Sequence, residues 1–397
     1  MASSPSFRGI IGKGLLFGGL AGAVWVANRR YHGVPPPLID WRRVRDSAVA
    51  LADRDASGEA AARPSTADLT SRYQAMVGQS DELIGSYIGS RLPARQNTVH
   101  VFDRREWIEA NVAGFQSLFE PLERINREAF ADGTVGTFLL GNLNQLFLSG
   151  QMGMLVGVLS RRVLGQYDLA LFGREPITGG RLYFVEPNIA RLQARLDLDP
   201  RELRLWIALH ETTHAYEFEG HPWLRDHLNG LLGSYFASLS RDLLALRRRS
   251  SGALDLASRV GSNLLRSSHA LELVMSDEQR QAFRRLQGLM CLLEGYSNHV
   301  MDRIGGTLLA TYPVLKSRFE DRLQHRSLGE QILARMTGLD VKLEQYVLGE
   351  RFVGEVVRQR DISYVNRAWA SPWHLPTLDE IRKPARWIDR VAGEPRV

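Results

Sequence analysis

Two histidines separated by three residues lie within an apolar segment, and this spacing constrains the fold more than any other feature of the sequence. The segment reads Trp206-Ile207-Ala208-Leu209-His210-Glu211-Thr212-Thr213-His214-Ala215-Tyr216. Residues four apart sit one above the other on a helix, so His210 and His214 can both turn a ring nitrogen toward one cation. Glu211 lies about 100° around the helix from His210, where it can reach a water molecule on that cation without being a ligand.

The residues before the histidines predict a well-defined helix start. Asp199 suits the N-cap position, Pro200 suits the first turn, and Glu202 completes an Asp-x-x-Glu capping box. Apolar residues such as Leu203 and Leu209 supply packing around this start. We therefore expect the histidines to lie in the middle of a helix and not on a loop.

A catalytic zinc site needs a third protein ligand and an open fourth position. One arrangement continues the motif as His-Glu-x-x-His-x-x-Gly-x-x-His, but this chain has Glu217 and Gly220 at the diagnostic positions, and His221 comes one residue too late. In the other common arrangement a downstream helix supplies a Glu. Glu294 lies among apolar residues in a helical segment that opens with the capping box Ser276-Asp277-Glu278-Gln279. A carboxylate in apolar surroundings needs a partner, which zinc would supply, and a Glu that faces solvent is the alternative.

The hydrophobic spacing predicts helices along most of the chain. Asp68 to about Phe130 reads as mainly helical. Residues 133–160 carry no charge, and we interpret them as a pair of buried core helices and not as a membrane span, because Asn and Gln interrupt the run. Tyr167–Phe172 and Arg181–Val185 are the predicted strands. The expected fold is mostly α, with a small β element near residues 167–185.

The N-terminal segment differs in composition from the rest of the chain. Residues 9–27 are apolar or Gly except for Lys13, and Arg residues flank them. Their length just reaches the roughly 20 residues that a transmembrane helix needs, while a Gly-rich tail and a secretory signal are the alternatives. If the segment spans, the Arg residues after it would place the body of the protein in the cytoplasm, which the single cysteine also fits. We expect residues 1–37, which end in a Pro-rich spacer, to be separate from a domain at residues 38–397.

The charge distribution does not favour nucleic acid as a partner, although the formal net charge is +6. The basic residues are nearly all Arg and alternate with acidic residues, and no nucleic-acid-binding motif is present. The single cysteine, Cys291, excludes an internal disulfide framework and every Cys-rich zinc module. A Gly-rich phosphate-binding loop is also absent from the sequence.

Stretches distributed from residue 38 to the C-terminal region carry a resemblance to a known family. They include Leu38-Ile39-Asp40-Trp41, Val163-Leu164-Gly165-Gln166-Tyr167-Asp168, Glu186-Pro187-Asn188, Pro222-Trp223-Leu224-Arg225-Asp226-His227, Leu293-Glu294-Gly295, Gly349-Glu350-Arg351-Phe352-Val353 and Asn366-Arg367-Ala368-Trp369. Together with the histidine motif, they make the chain resemble the zincin-like metallopeptidase type 2 family. Members of that family are described as zinc-dependent metalloproteases or hydrolases, or as deazaflavin-coenzyme biosynthesis-associated proteins.

The resemblance implies a mostly helical zincin-like fold that binds one Zn²⁺ per chain. His210, His214 and Glu294 would be the zinc ligands, and Glu211 would be the general base. The implied function is a zinc-dependent hydrolase, in the first place a metallopeptidase that acts on a peptide or protein substrate. The alternatives are a non-catalytic zinc-binding protein that serves as a scaffold or partner-binding module, and an accessory factor in cofactor biosynthesis.

One position departs from the pattern of zincins that use a Glu ligand. In such proteins an acidic residue commonly follows the third ligand by four positions and orients a zinc-bound histidine, whereas this chain has Asn298 there. An Asn side chain can accept a hydrogen bond but brings no negative charge. The sequence therefore predicts less basic ligands and weaker zinc binding than in a site with the usual acid.

Overall fold

The computed structural model describes residues 36–54, 65–92, 98–130, 135–167, 181–249, 276–324 and 339–393. Helices dominate these ranges, and a small three-stranded sheet lies among them. The expectation of a mostly α fold with a small β element is confirmed. The expected division near residue 38 stays a prediction, because residues 1–35 lie outside the described ranges.

The elements follow one another in the order α1 (Trp41–Asp53), α2 (Thr66–Ile88), β1 (Thr98–Phe102), α3 (Arg104–Phe130), α4 (Val135–Ser160), β2 (Gly165–Tyr167), β3 (Arg181–Val185), α5 (Glu186–Arg195), α6 (Pro200–Glu219), α7 (Trp223–Arg249), α8 (Asp277–Leu308), α9 (Tyr312–Gln324), α10 (Leu339–Gln359), α11 (Ile362–Asn366), a 3₁₀ turn (Arg367–Trp369), α12 (Leu378–Arg382) and α13 (Pro384–Ala392). The histidine motif lies within α6, and Glu294 lies within α8.

The sheet has the strand order β1-β3-β2, in which β3 pairs with β1 in parallel and with β2 antiparallel. Strand β3 has the predicted bounds, and β2 begins two residues before the predicted first strand, of which residues 168–172 lie outside the described ranges. Strand β1 was not predicted, because the region around it was read as helical. Its sequence, Thr-Val-His-Val-Phe, is rich in β-branched and aromatic residues, which favour strands, but it is too short to dominate a helical window.

The uncharged segment forms one continuous helix, α4, and not the expected pair. Two of its glycines serve close packing and do not mark a turn. A Cβ on Gly153 would lie 2.7 Å from Ser47 Cβ, and one on Gly157 would lie 2.9 Å from Leu51 Cδ2, both in α1. The expectation of burial holds for the face toward α1, while Phe147 on α4 is exposed.

The expectation of a transmembrane helix is corrected. In the part of the chain that the structure describes, no helix combines the length and the apolar character needed to cross a bilayer. Even the apolar helix α4 is interrupted by Gln, Asn, Ser and Gly residues, which lower its mean hydropathy. Residues 9–27, to which the expectation was assigned, lie outside the described ranges, and the prediction of a membrane anchor is withdrawn.

Two apolar clusters hold the described elements together. The smaller one joins α1, α3 and α4 through residues such as Val44, Ile108 and Val156. The larger one includes Leu209 of α6 and Leu292 of α8, so these two helices pack in the same core. The candidate site therefore lies on two helices whose relative position is fixed by buried apolar contacts.

Candidate metal centre

The side chains of His210, His214 and Glu294 converge where α6 meets α8, and their ligand atoms all lie within 4.8 Å of one another. His210 Nε2 lies 3.2 Å from His214 Nε2 and 3.7 Å from Glu294 Oε2. Two nitrogens bound to tetrahedral zinc at about 2.0–2.1 Å are separated by about 3.3 Å. The spacing of the imidazoles and the chemistry of the donor set therefore fit one zinc ion, and the structure brings together the three residues predicted as ligands.

The start of α6 is built as the sequence indicates, with one difference. The Asp199 side chain accepts hydrogen bonds from the backbone N–H groups of Arg201 and Glu202, so it caps the helix. The Glu202 carboxylate does not return to Asp199 but accepts hydrogen bonds from the N–H groups of Ala310 and Thr311, each at 2.9 Å. Ala310 and Thr311 lie just beyond the end of α8. Glu202 therefore connects the start of α6, which carries the two histidines, to the end of α8, which carries Glu294.

Helix α8 holds Glu294 in a buried position, with 4 % of the residue exposed. Its start has a complete capping box, as predicted, between Ser276 and Gln279. Next to Glu294, the backbone of α8 meets that of α10 at two glycines. A Cβ on Gly349 would overlap the carbonyl oxygen of Cys291, and one on Gly295 would overlap the backbone of Gly349. The close approach that these glycines allow fixes the segment of α8 from which Glu294 projects.

Glu211 is buried, and its carboxylate group lies against the backbone of strand β2. A Cβ on Gly165 would lie 2.6 Å from Glu211 Cγ and 2.7 Å from Oε1. Only a glycine therefore leaves room at residue 165 for the observed position of the carboxylate. Gly165 was not predicted to be part of the site. A glycine in a strand can nevertheless indicate that another group packs closely against the strand backbone.

A further carboxylate, that of Glu217, lies behind the histidines. Glu217 Oε2 is 2.7 Å from His214 Nδ1, and the Glu217 side chain has no exposed surface. Ser297 of α8 donates a hydrogen bond to Glu217 Oε1 at 3.3 Å, and its Oγ lies 3.1 Å from His214 Nδ1. In the sequence, Glu217 was noted only as a mismatch to the longer histidine motif. Its position three residues after His214, on the same helical face, was the available signal.

The buried pair of His214 and Glu217 has strongly altered proton affinities when no cation is bound. Burial alone would lower the pKa of His214, but the charge of Glu217 and its hydrogen bond outweigh burial and raise that pKa to about 9. Burial raises the pKa of the Glu217 carboxyl group to about 7, against the opposing effect of His214. Both shifts favour the protonated form, so the pair binds protons more tightly than the free side chains do.

Several tyrosine and histidine side chains lie close to these motifs in the sequence but have other contacts. The Tyr216 hydroxyl donates to the carbonyl of Asp81 at 2.9 Å, and the Tyr296 hydroxyl donates to Asn366 Oδ1 at 2.6 Å. His299 Nε2 lies 2.8 Å from the hydroxyl group of Tyr87. These contacts assign Tyr216 and Tyr296 to packing between helices.

The chain is similar to known proteins in both sequence and fold. A family model described as zincin-like metallopeptidase matches residues 39–388. Among solved structures, the chain is similar to a candidate hydrolase with a novel fold from Chloroflexus aurantiacus, with 38% sequence identity and a TM-score of 0.66. The match covers 90% of this chain and 100% of that one. No significant match was found among curated proteins.

Proposed function

The chain belongs to the family of zincin-like metallopeptidases, and from this premise we propose that it is a zinc-dependent hydrolase that cleaves peptide bonds. The observation that carries the proposal is the convergence of two imidazole nitrogens and one carboxylate oxygen within 4.8 Å. A hydrolase-like role agrees with the similarity to the Chloroflexus aurantiacus candidate hydrolase. The preference for peptides rests on family membership.

In this proposal His210, His214 and Glu294 hold one zinc ion per chain. Two histidines and one glutamate form a ligand set of catalytic zinc sites that leave a fourth position open. Zinc in such a site polarises a carbonyl group and lowers the pKa of a bound water molecule to about 7. The ligands come from two helices that pack in one core, and such packing restricts the positions that the ligand side chains can adopt.

Glu211 acts as the general base. It accepts the proton of the attacking water molecule and delivers it to the leaving amine, as a carboxylate beside a water-binding site can do. The backbone at Gly165 limits the positions that the Glu211 carboxylate can adopt. This restriction places the base before substrate arrives, and such placement is one source of catalytic rate.

The test combines metal analysis with digestion of a peptide library by zinc-loaded protein. The parent protein is expected to contain one zinc per chain and to cleave peptides. Glu211→Gln should keep the zinc and lose cleavage, because an amide cannot take the proton. Glu294→Ala should lose the zinc, whereas Glu278→Ala, which changes an exposed acid on the same helix, should not.

Three outcomes would contradict the proposal. If the zinc-loaded parent cleaves no peptide, the chain acts as a zinc-binding module without peptidase activity. If Glu211→Gln cleaves a validated substrate at the parent rate, the assignment of the general base is wrong. Retention of zinc by Glu294→Ala would remove Glu294 from the ligand set.

A further inference from the structure

We propose that Glu217 is the positioning residue for the zinc ligand His214, and that it replaces the acid that Asn298 does not supply. This inference rests on the proposed zinc site for the identity of the ligands. Glu217 belongs neither to the His-Glu-x-x-His motif nor to the three proposed ligands. Ser297 of α8 donates a hydrogen bond to the Glu217 carboxylate and holds it in place.

The first argument is the geometry of the contact. Glu217 Oε2 lies 2.7 Å from His214 Nδ1, while Nε2 of the same ring lies 3.2 Å from His210 Nε2. One ring nitrogen therefore faces the carboxylate and the other faces the ligand cluster. A proton on Nδ1 leaves the Nε2 lone pair available for a metal ion, and the carboxylate selects this tautomer.

The second argument is the burial of the Glu217 charge. The Glu217 side chain has no exposed surface. A buried carboxylate is costly unless hydrogen bonds satisfy both of its oxygens. Oε2 faces His214 Nδ1, and Oε1 accepts a hydrogen bond from Ser297 at 3.3 Å. A neutral imidazole that binds metal through Nε2 carries its proton on Nδ1, so it can donate a hydrogen bond to this carboxylate.

The third argument is the position of the acid relative to the expected one. Asn298 follows Glu294 by four positions on α8, where an orienting acid was expected. In this chain the acid comes from α6, three residues after the histidine that it contacts, and α8 contributes the neighbouring Ser297 instead. The absence of an acid at residue 298 therefore does not imply weaker zinc binding, because Glu217 supplies a carboxylate to His214 from another position.

The expected effect is on metal binding. Loss of a carboxylate that orients a metal-bound histidine typically weakens metal binding by about 10–100-fold. Glu217→Gln keeps the size of the side chain and removes its charge, so it should weaken zinc binding by about tenfold or more. Ser297→Ala should weaken zinc binding by about fivefold, because it removes one hydrogen bond to the carboxylate.

The experiment measures the zinc dissociation constant by competition with a chelator at fixed pH, and the visible absorption spectrum of the Co²⁺-loaded protein. Glu217→Gln is compared with Glu219→Gln, which makes the same change two residues later on α6, where the carboxylate accepts a hydrogen bond from the Tyr167 hydroxyl group. Glu217→Gln is expected to weaken zinc binding and shift the Co²⁺ absorption bands, and Glu219→Gln to do neither. Thermal unfolding of the metal-free variants controls for a general loss of fold.

Equal zinc affinities and equal Co²⁺ spectra for the two variants would overturn the role of Glu217. That failure is distinct from failure of the zinc site itself. If the parent binds no zinc, or if Glu294→Ala binds it as well as the parent, the ligand assignment is wrong. If Glu294→Ala loses zinc while Glu217→Gln retains parent affinity, only the positioning role is rejected.

Discussion

Gly165 of strand β2 and Glu211 of helix α6 are in such close contact that a methyl group on Gly165 would lie 2.6 Å from Glu211 Cγ. The backbone of the strand thus forms one wall of the space that holds the proposed general base. Gly165 has no left-handed backbone conformation, so alanine is compatible with its main chain. The effect of a substitution there would come from displacement of the Glu211 carboxylate.

Gly165→Ala is therefore expected to reduce peptide hydrolysis and to leave zinc content unchanged. A misplacement of the base by about 1 Å can cost about 100-fold in rate, and we expect a loss of that order in kcat. Gly354→Ala is the matched control, because a Cβ there would meet nothing within 4 Å. Hydrolysis by Gly165→Ala at the parent rate would show that the contact does not position Glu211.

Gly349→Ala is expected to destabilise the protein, because the added Cβ would overlap the Cys291 carbonyl oxygen where α10 crosses α8. Overpacking of this kind usually costs about 1–3 kcal/mol, and a clash with backbone falls at the upper end. Urea unfolding of the metal-free protein measures the change. Gly354→Ala on the same helix should be neutral or stabilising by up to about 1 kcal/mol, and equal stabilities of the two variants would argue against the close helix contact.

The contact of Glu202 with the residues after α8 should contribute to stability. Glu202→Ala removes a carboxylate that accepts hydrogen bonds from the backbone N–H groups of Ala310 and Thr311 and from the Thr311 hydroxyl group. A hydrogen bond to a charged group contributes about 1.5–3 kcal/mol to stability, and solvent exposure reduces that contribution. We therefore expect the free energy of unfolding to fall by about 1–3 kcal/mol in total. The free energy of unfolding tests this, and a change below about 0.5 kcal/mol would show that water replaces the contact.

The stability of the metal-free protein should decrease as the pH rises from about 5 to 9. The folded-state pKa values of Glu217, about 7, and His214, about 9, both lie above their ordinary values of 4.5 and 6.5. A group with a raised pKa binds protons more tightly in the folded state, so its contribution is complete at low pH and is lost as the pH passes the folded-state value. Chemical unfolding in a chelator at several pH values measures the slope.

Glu217→Gln should flatten this slope, because it removes one titrating group and the partner that raises the pKa of His214. With saturating zinc the trend should reverse, since zinc competes with the Nε2 proton and binds better as the pH rises. If the parent and Glu217→Gln have the same pH dependence without metal, the coupling of His214 and Glu217 is not as described.

Features of the fold that depend on residues adjacent in the sequence, such as helix starts, were predictable. Asp199, Pro200 and Ser276 mark helix starts, and strand β3 has the bounds that its apolar run predicts. Strand β1 was missed because five residues of strand-favouring sequence were read within a longer helical window. Helix α4 was predicted as two helices because polar residues and glycines interrupt the apolar run, whereas the structure has one helix, in which Gly153 and Gly157 pack against α1.

The supporting contacts of the site depend on distances between separate elements, and the sequence gives only indirect signs of them, such as the position of Glu217 three residues after His214. The His-Glu-x-x-His spacing predicted the two candidate ligands on α6, and apolar flanks pointed to Glu294, which the structure places beside them. The contact between Glu217 and Ser297 requires the register of α6 against α8. The contact between Gly165 and Glu211 depends on how the sheet packs against α6. The spacing of apolar residues along the sequence does not determine that packing.

The ligands of the proposed centre are widely separated along the chain, and this has a consequence for synthesis. Glu294 is encoded 80 residues after His214, so at about 5–20 residues per second it is added about 4–16 seconds later. During that interval the nascent polypeptide carries the imidazole pair without its carboxylate partner. If the proposed zinc site is correct, all three ligands can hold the ion only after α8 has left the ribosome, so binding at full affinity cannot precede the synthesis of that helix.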